Sequence, residues 1–269
     1  MKMKIFLIIG AVAIVALLLG LLIGKSSRKS TSTKSIEGTT ATNGSLPTSQ
    51  VDTNKTSLSG KVYNLIILDE SGSMGSVWKA ALDGANETIQ TIKSTQTAHP
   101  EQKQYLTFAS FSDKGGEKFR VLVDNKSIEE VKDLTAKDYS PNGNTPLWDA
   151  MGFSLTRLEK SVTDQDLVLV TIITDGYENA SREYDGKKIK TLVERLSAKD
   201  WAFAYIGANQ DAIEVAGQMG IKNALNFEAD EDGTKAMWRK EKRSRERYYM
   251  RGRIGTEKVR LKDDYFEED

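Results

Sequence analysis

The chain has 269 residues, no cysteine, one histidine, and 38 basic against 38 acidic side chains, which gives a formal net charge of zero. This length allows one domain with appendages, and the balanced charge gives no general attraction to nucleic acid, so we expect no nucleic-acid partner. The missing cysteines exclude disulfides, thiolate metal sites and cysteine nucleophiles, and His99 alone is too little for zinc catalysis or a Ser-His-Asp hydrolase.

A continuous apolar segment lies close to the amino terminus. Residues 5–23 carry no charge and consist mostly of Ile, Leu, Val, Ala and Gly, which is enough to cross a bilayer as a helix. A cleaved signal peptide is the alternative, with Lys2 and Lys4 as its basic start. Because Lys25 follows directly and no small-residue cleavage site is present, we predict a retained single-pass membrane anchor at residues 1–24.

The next segment, residues 25–59, is rich in Ser, Thr, Asn and Lys and offers almost nothing to bury. This composition predicts a flexible linker. Basic residues flank the apolar segment on both sides, so the positive-inside rule does not decide its orientation. A Ser/Thr-rich stalk favours the extracytoplasmic side, and residues 54–56 match a glycosylation acceptor triplet. We therefore expect the following domain to be extracytoplasmic.

Strand and helix patterns alternate through residues 60–228. Short apolar runs predict strands at Val62–Leu68, Asp166–Thr174, Trp201–Ile206 and Ala224–Phe227, with a hairpin formed by Tyr105–Phe111 and Phe119–Val123. Helical spacing predicts helices near 77–97, 128–134, 147–158, 189–196 and 212–219. Thr145 is expected as the N-cap of the third helix, with Pro146 at its first position. The alternation predicts a Rossmann-like α/β domain, a mainly parallel sheet with helices on both faces.

The last segment, residues 229–269, is strongly charged. It predicts a helix from Glu231 to Arg253, with six basic and two acidic residues between Arg239 and Arg247, followed by an acidic tail. A solvated helix is the expected structure. A basic strip that binds anionic lipid or nucleic acid is the alternative, although the acidic tail would weaken its field.

Five side chains whose oxygens could bind a metal follow two of the predicted strands or end a turn. Asp69, Ser71 and Ser73 follow the first strand, Thr145 ends a dense turn, and Asp175 follows a second long strand. Ligands of open α/β sheets bind beyond the carboxyl ends of the strands, so these five side chains are expected at one edge. Two carboxylates and three hydroxyls form a set of hard oxygen ligands, which predicts a Mg²⁺ or Mn²⁺ site.

The same residues have ordinary alternative explanations. Ser73 or Ser76 could cap the following helix, Thr145 could be an N-cap, and Asp175 could belong to an Asp-Gly turn. If the chain stays extended after the first strand, Glu70 points away from the other donors and lies outside the site. Gly72 and Gly75 would permit the tight turn that this loop requires.

Three segments together resemble the metal-binding loops of a von Willebrand factor A-type domain: Leu68–Met74, Asn144–Leu147 and Ile173–Gly176. The resemblance covers about residues 61–228 and implies a metal-ion-dependent adhesion site on a Rossmann-like sheet. It implies Ser71 and Ser73 as direct ligands, Thr145 as a direct ligand when a partner is engaged, and Asp69 and Asp175 acting through water or as exchanging ligands. The pair Glu178-Asn179 resembles bacterial members.

The resemblance implies a non-enzymatic protein that binds a protein partner, whose Asp or Glu completes the metal shell, and the apolar segment at residues 5–23 would tether this protein to a membrane. A second hypothesis is a metal-dependent adaptor subunit of a cytoplasmic ATPase or chaperone assembly. A third is a Mg²⁺-dependent phosphohydrolase with Asp69 as its nucleophile. Haloacid-dehalogenase-like enzymes require a second Asp two residues later, where this chain has Ser71, and no phosphate-binding loop motif is present.

Overall fold

A computed structural model describes residues 60–116, 118–208, 211–254 and 262–266, which belong to a compact unit extending over Thr53–Asp269. The predicted membrane anchor and linker, residues 1–59, lie outside the described residues. Within the described ranges, every helix is too short or too polar to cross a membrane.

The described residues form one six-stranded sheet with the order β3-β2-β1-β4-β5-β6. All neighbouring strands are parallel except β2 and β3, which form the predicted antiparallel hairpin. The strands are β1 (Lys61–Asp69), β2 (Lys103–Phe111), β3 (Phe119–Ser127), β4 (Leu167–Thr174), β5 (Ala202–Ala208) and β6 (Asn223–Phe227).

Helices cover both faces of this sheet. They are α1 (Trp78–Ala98), α2 (Leu147–Glu159), α3 (Gly186–Ser197), α4 (Ala212–Gln218) and α5 (Glu231–Ile254). The core on one face contains buried side chains of α1 and α5, and the core on the other face contains those of α2, α3 and α4. The predicted α/β architecture, a mostly parallel sheet flanked by helices, is therefore confirmed.

Strands β1 and β4 lie side by side in the middle of the sheet. Every residue of β4 is buried, and so is every residue of β1 after Lys61, because helices cover both faces of a parallel sheet. The two strands are in register up to Leu68 and Ile173. Asp69 comes directly after Leu68, and Asp175 comes after Thr174, the last residue of β4. Both acids therefore lie at the same edge of the sheet, at the ends of two rigid neighbouring strands.

The helix predicted over residues 128–134 is wrong. Strand β3 continues to Ser127, and a single 3₁₀ turn follows at Ile128–Glu130 before the chain becomes irregular. Ile128, Val131 and Leu134 are buried in the core beside α1. Their spacing of three residues imitated a helical stripe, although one turn and an irregular segment bring them to the same core.

The expectation of a solvated α5 is wrong for one face of that helix. Met237, Trp238, Tyr248 and Tyr249 of α5 are buried in the core. Arg245 is also fully buried. A hydrophobic face of aromatic residues thus lies within a sequence whose overall composition is dominated by charge.

The buried Arg245 is paired and hydrogen-bonded in full. Its guanidinium donates to the Glu241 carboxylate at 2.6 Å and 2.8 Å, to the Thr171 hydroxyl at 2.8 Å and to the Asn64 side-chain oxygen at 3.0 Å. Thr171 and Asn64 belong to β4 and β1. A charge without water requires such partners, so this arginine fixes α5 over the two central strands.

We expect Arg245→Ala to lower the free energy of unfolding by about 3–5 kcal/mol, because the buried Glu241 carboxylate loses its counter-charge. Arg245→Met combined with Glu241→Leu should recover much of that loss, since neither buried charge remains. Urea unfolding of residues 53–269 measures both effects, with the exposed Arg243→Ala on the same helix as control. Equal losses for the Arg243 and Arg245 variants would contradict this account.

Candidate metal centre

Asp69, the last residue of β1, is fixed by three hydrogen bonds. One carboxylate oxygen accepts the backbone N–H of Ser71 at 2.7 Å, and the other accepts the hydroxyl of Thr174 at 2.6 Å. The Tyr139 hydroxyl donates to the Asp69 carbonyl oxygen at 2.7 Å. The Asp69 side chain is fully buried, so its position is set by the ends of β1 and β4.

Two serine hydroxyls and a second carboxylate lie next to it. The hydroxyl oxygens of Ser71 and Ser73 are 3.1 Å apart, and Ser73 donates to a carboxylate oxygen of Asp175 at 2.5 Å. The chain is extended only as far as Ser71, because a 3₁₀ helix begins at Gly72 and ends at Ser76. The first turn of this helix brings the two hydroxyls together.

Thr145 reaches the same place from the loop before α2. Its N–H donates to the Asn179 side-chain oxygen at 2.8 Å, and its carbonyl accepts the Asn179 N–H at 3.1 Å. A Cβ placed on Gly176 would lie 3.4 Å from the Thr145 hydroxyl and 3.7 Å from the Ser73 hydroxyl. The structure thus brings together all five side chains singled out from the sequence.

The helix-capping alternatives for these residues are wrong. Val77 occupies the N-cap of α1, and neither Ser73 nor Ser76 caps that helix. The N-cap position of α2 is Pro146, with Leu147 as the first helical residue, so Thr145 lies one position before the observed N-cap. The hydroxyls of Ser73 and Thr145 are therefore not used to begin helices.

Burial without a basic partner dominates the electrostatics of the two carboxyls. Burial raises the pKa of Asp69 to about 7, against the lowering effect of the Thr174 and Ser71 hydrogen bonds. Burial also raises the pKa of Asp175. In the described part of the chain, no lysine or arginine forms an ion pair with either carboxyl. Two carboxyls that share a cluster with three hydroxyls and no cation fit a hard divalent cation.

The donor set also limits which ion fits. Among the described residues, no cluster of three or more His, Cys, Asp or Glu side chains could hold a metal. Soft metals that select thiolate or imidazole are poorly matched by hydroxyls and two carboxylates. Mg²⁺ is held by one or two carboxylates and keeps several waters, which matches this set.

Glu70 points away from the cluster, as the sequence predicted. Its carboxylate accepts two hydrogen bonds from Arg120 at 2.6 Å and 2.7 Å and one from the Ser140 N–H at 2.8 Å. The side chain is 3% exposed. Glu70 therefore anchors the 138–144 segment against β3 and does not contribute an oxygen to the cluster.

The glycine that the loops need is Gly143, which the sequence analysis did not single out. Its φ is +82°, and a Cβ there would lie 2.5 Å from a carboxylate oxygen of Asp113. Its carbonyl accepts the N–H of Gly72 at 3.0 Å. Gly72 and Gly75, which were expected to permit the tight turn, are not among the glycines with positive φ, so that expectation is wrong.

Two further carboxylates that the sequence analysis did not assign to the site organise the loop after β4. Glu178 accepts hydrogen bonds from the N–H groups of Trp148, Ala180 and Ser181. Asp149 accepts from the N–H groups of residues 182–184 and from Lys118. These bonds attach the loop to the start of α2 and thereby hold Asn179 against Thr145. Their sequence signal was weak, because Asp149 resembles an ordinary acid in the first turn of a helix and Glu178 resembles an ordinary loop acid.

Comparisons with known proteins place these loops in a family context. Residues 65–236 match the family model of the von Willebrand factor type A domain. Comparison with curated proteins gave no match.

The chain is similar to three solved structures. A von Willebrand factor type A protein from Catenulispora acidiphila shares 14% identity and a TM-score of 0.48, over 68% of this chain and 42% of that one. Proximal thread matrix protein 1 from the mussel byssus, described with a zinc-occupied MIDAS motif, shares 16% identity and a TM-score of 0.49, over 66% of this chain and 46% of that one. Manganese-loaded TRAP from Plasmodium vivax shares 18% identity and a TM-score of 0.44, over 67% of this chain and 72% of that one. The chain spans less than half of the first two proteins.

We expect the metal-free protein to lose stability as the pH rises from about 4 to about 7. The folded-state pKa of Asp69 lies above its usual value of 3.8, so the folded state binds more protons than the unfolded state in this range, and folding is favoured at low pH. Asp69→Asn should flatten this dependence and raise the free energy of unfolding at pH 8 by roughly 2 kcal/mol.

Urea unfolding of residues 53–269 in chelator, from pH 5 to pH 8, measures this effect. Asp83→Asn on the exposed face of α1 is the matched control. An Asp69→Asn protein with the same pH dependence as the unaltered chain would show that the Asp69 carboxyl carries no burial penalty.

Proposed function

The chain belongs to the von Willebrand factor type A domain family, and on that premise we propose that it binds a protein partner through a Mg²⁺-dependent adhesion site. Asp69, Ser71, Ser73, Thr145 and Asp175 would hold the ion, which is Mg²⁺ or Mn²⁺. An Asp or Glu of the partner would complete the metal shell. The observation that carries this proposal is the convergence of three hydroxyls and two buried carboxyls without a basic partner.

Each residue of the site has a distinct part in this proposal. Asp69 and Asp175 supply negative charge that is already desolvated, and Ser71 and Ser73 supply neutral oxygens. Thr145 adds a hydroxyl from a different loop, whose position depends on Asn179. When bound, the ion supplies an electrophilic site for a partner carboxylate. Asp69 and Asp175 balance the charge of the divalent ion, and the ion keeps a coordination position for a third carboxylate, which the partner supplies.

The edge that carries these residues is open to a partner. Ser73 is exposed, although the Asp69 carboxyl behind it is buried. Tyr177, two residues after Asp175, is 60% exposed, and exposed aromatic side chains are enriched in protein–protein contacts. A rigid, charged cluster bordered by an exposed tyrosine favours recognition of another protein.

The sequence offers little support for an enzyme. The phosphohydrolase hypothesis takes Asp69 as its nucleophile. The position two residues later is Ser71, where a phosphohydrolase of this kind uses a second Asp. We therefore propose a binding function without catalysis.

We further propose that residues 5–23 tether this domain to a membrane and that residues 25–59 carry it away from the surface. The support is the uncharged apolar segment followed by a polar, Ser/Thr-rich stretch. The Ser/Thr-rich composition favours an extracytoplasmic domain. A partner on the same side of the membrane would then supply the carboxylate.

Capture from source-cell extract by immobilised residues 53–269 tests the proposed function. We expect a partner to be retained in Mg²⁺ and lost in chelator. Ser73→Ala should weaken retention roughly tenfold, which corresponds to about 1.4 kcal/mol, because one hydroxyl of the metal site is removed. Ser76→Ala is the matched control, since Ser76 is an exposed serine in the same 3₁₀ helix.

Retention of the same proteins by the Ser73→Ala variant in Mg²⁺ and in chelator would contradict the proposed function. A loss of retention in both serine variants would indicate that the 3₁₀ helix, and not the metal site, makes the contact.

A further inference from the structure

A cavity of about 400 Å³ is lined in part by Glu70, whose side chain points away from the metal-binding cluster. Its walls come from β2, from β3 and from the segments after β2 and before α2. The lining residues that matter here are Glu70, Ser110, Ser112, Lys114, Arg120 and Lys137. None of these belongs to the five-residue cluster described above, and three of them carry a positive charge.

The floor of this cavity contains a buried hydroxyl that has no partner. Ser110 lies near the end of β2 in register with Leu68 of β1 and Arg120 of β3. The residue is fully buried, and its hydroxyl oxygen makes no hydrogen bond within the part of the chain that is described. An unsatisfied buried hydroxyl costs free energy, so a group that entered the cavity and bonded to Ser110 would recover that cost.

The basic side chains around this hydroxyl are weakly engaged. The Lys114 ammonium makes two long contacts, each 3.3 Å, with the Ser140 carbonyl and hydroxyl oxygens. Lys137 is exposed, and its ammonium group makes no hydrogen bond or ion pair with any described residue. Asp138 lies close enough to Lys137 for a Coulombic interaction, but neither lysine forms an ion pair with a described residue, so both are available for an anion.

Glu70 is the one acid among the lining residues, and its charge is already balanced. Arg120 donates two hydrogen bonds to the Glu70 carboxylate through one nitrogen. The lining therefore carries three positive charges and one negative charge, which leaves an excess of two positive charges. Asp138, whose pKa is lowered by hydrogen bonds from Thr135 and by the nearby Arg120 and Lys137, offsets one of these charges. The site therefore keeps a net positive charge, which favours an anion.

We propose that this cavity is a binding site for a tetrahedral dianion of the phosphate or sulfate class. The Ser110 hydroxyl would donate from the floor, Ser112 would add a second hydroxyl, and Lys114 and Lys137 would donate charge-assisted hydrogen bonds from the rim. Four acceptor oxygens in a tetrahedral group can serve donors from floor and rim together, whereas a planar carboxylate offers two. The group is either a free inorganic anion or a phosphoryl group carried on a side chain of another protein.

Isothermal titration calorimetry of the full chain in detergent, with chelator present, tests this site without a contribution from metal. The probes are inorganic phosphate, O-phosphoserine and acetate. We expect phosphate to bind and acetate to bind at least roughly tenfold more weakly, because charge-assisted hydrogen bonds to a dianion are stronger and more numerous. Binding of phosphate alone identifies a free anion, and binding of O-phosphoserine as well identifies a group carried on a protein.

Substitutions of lysines and of Ser110 test whether phosphate binds in this cavity. Lys114→Gln with Lys137→Gln should weaken phosphate binding roughly tenfold or more, and Lys126→Gln with Lys132→Gln removes the same charge from exposed positions outside the cavity. Ser110→Ala should weaken binding roughly threefold without lowering the melting temperature, since the hydroxyl has no internal partner to lose. A merely structural serine would leave phosphate affinity unchanged.

Three results would overturn the proposal. They are no heat of phosphate binding in the unaltered chain, equal affinity for acetate and phosphate, and equal weakening by the two lysine pairs. Each result is independent of the metal site, because the titration is made in chelator.

Discussion

The whole site depends on how the buried pair of strands β1 and β4 ends. Their register holds to Leu68 and Ile173, and the Thr174 hydroxyl of β4 then donates to Asp69 of β1 at 2.6 Å. This bond ties the first carboxyl of the cluster to the strand that delivers the second. Ser71 and Ser73 lie at and in the 3₁₀ helix after β1, and Thr145 lies in the loop before α2. The position of all three hydroxyls relative to the carboxyls therefore depends on this fixed pair of strand ends.

Other buried acids of this domain are paired with basic side chains. Arg120 neutralises Glu70 on one side of the β1 loop, and the buried Arg245 neutralises Glu241 under α5. The Asp69 and Asp175 carboxyls receive no such partner among the described residues, and burial raises the pKa of both. A chain that pairs the buried Glu70, Asp149 and Glu241 with cations but leaves these two without one has a local instability that a divalent ion would relieve.

Much of this arrangement could be predicted from the sequence, because it is encoded in strongly periodic segments. The apolar run that ends at Asp69 and the one that ends before Asp175 are continuous, so the strands and the donors after them were evident. The requirement for glycine at position 143 was not, since it arises from a positive φ and from the close approach of Asp113 on another loop. The burial of Arg245 was also hidden, because charged neighbours on α5 mask its aromatic face. Residues 1–59 lie outside the described structure, so the membrane anchor remains a prediction.

A crystal structure of the protein soaked in Mn²⁺, with anomalous scattering recorded at the manganese edge, tests the central claim most directly. We expect one anomalous peak between the hydroxyl oxygens of Ser71 and Ser73, at about 2.0–2.2 Å from each, the distance of a hard-ion ligand. No peak at this edge at saturating Mn²⁺, or a peak bound by other side chains, would contradict the claim that these five residues form the metal site.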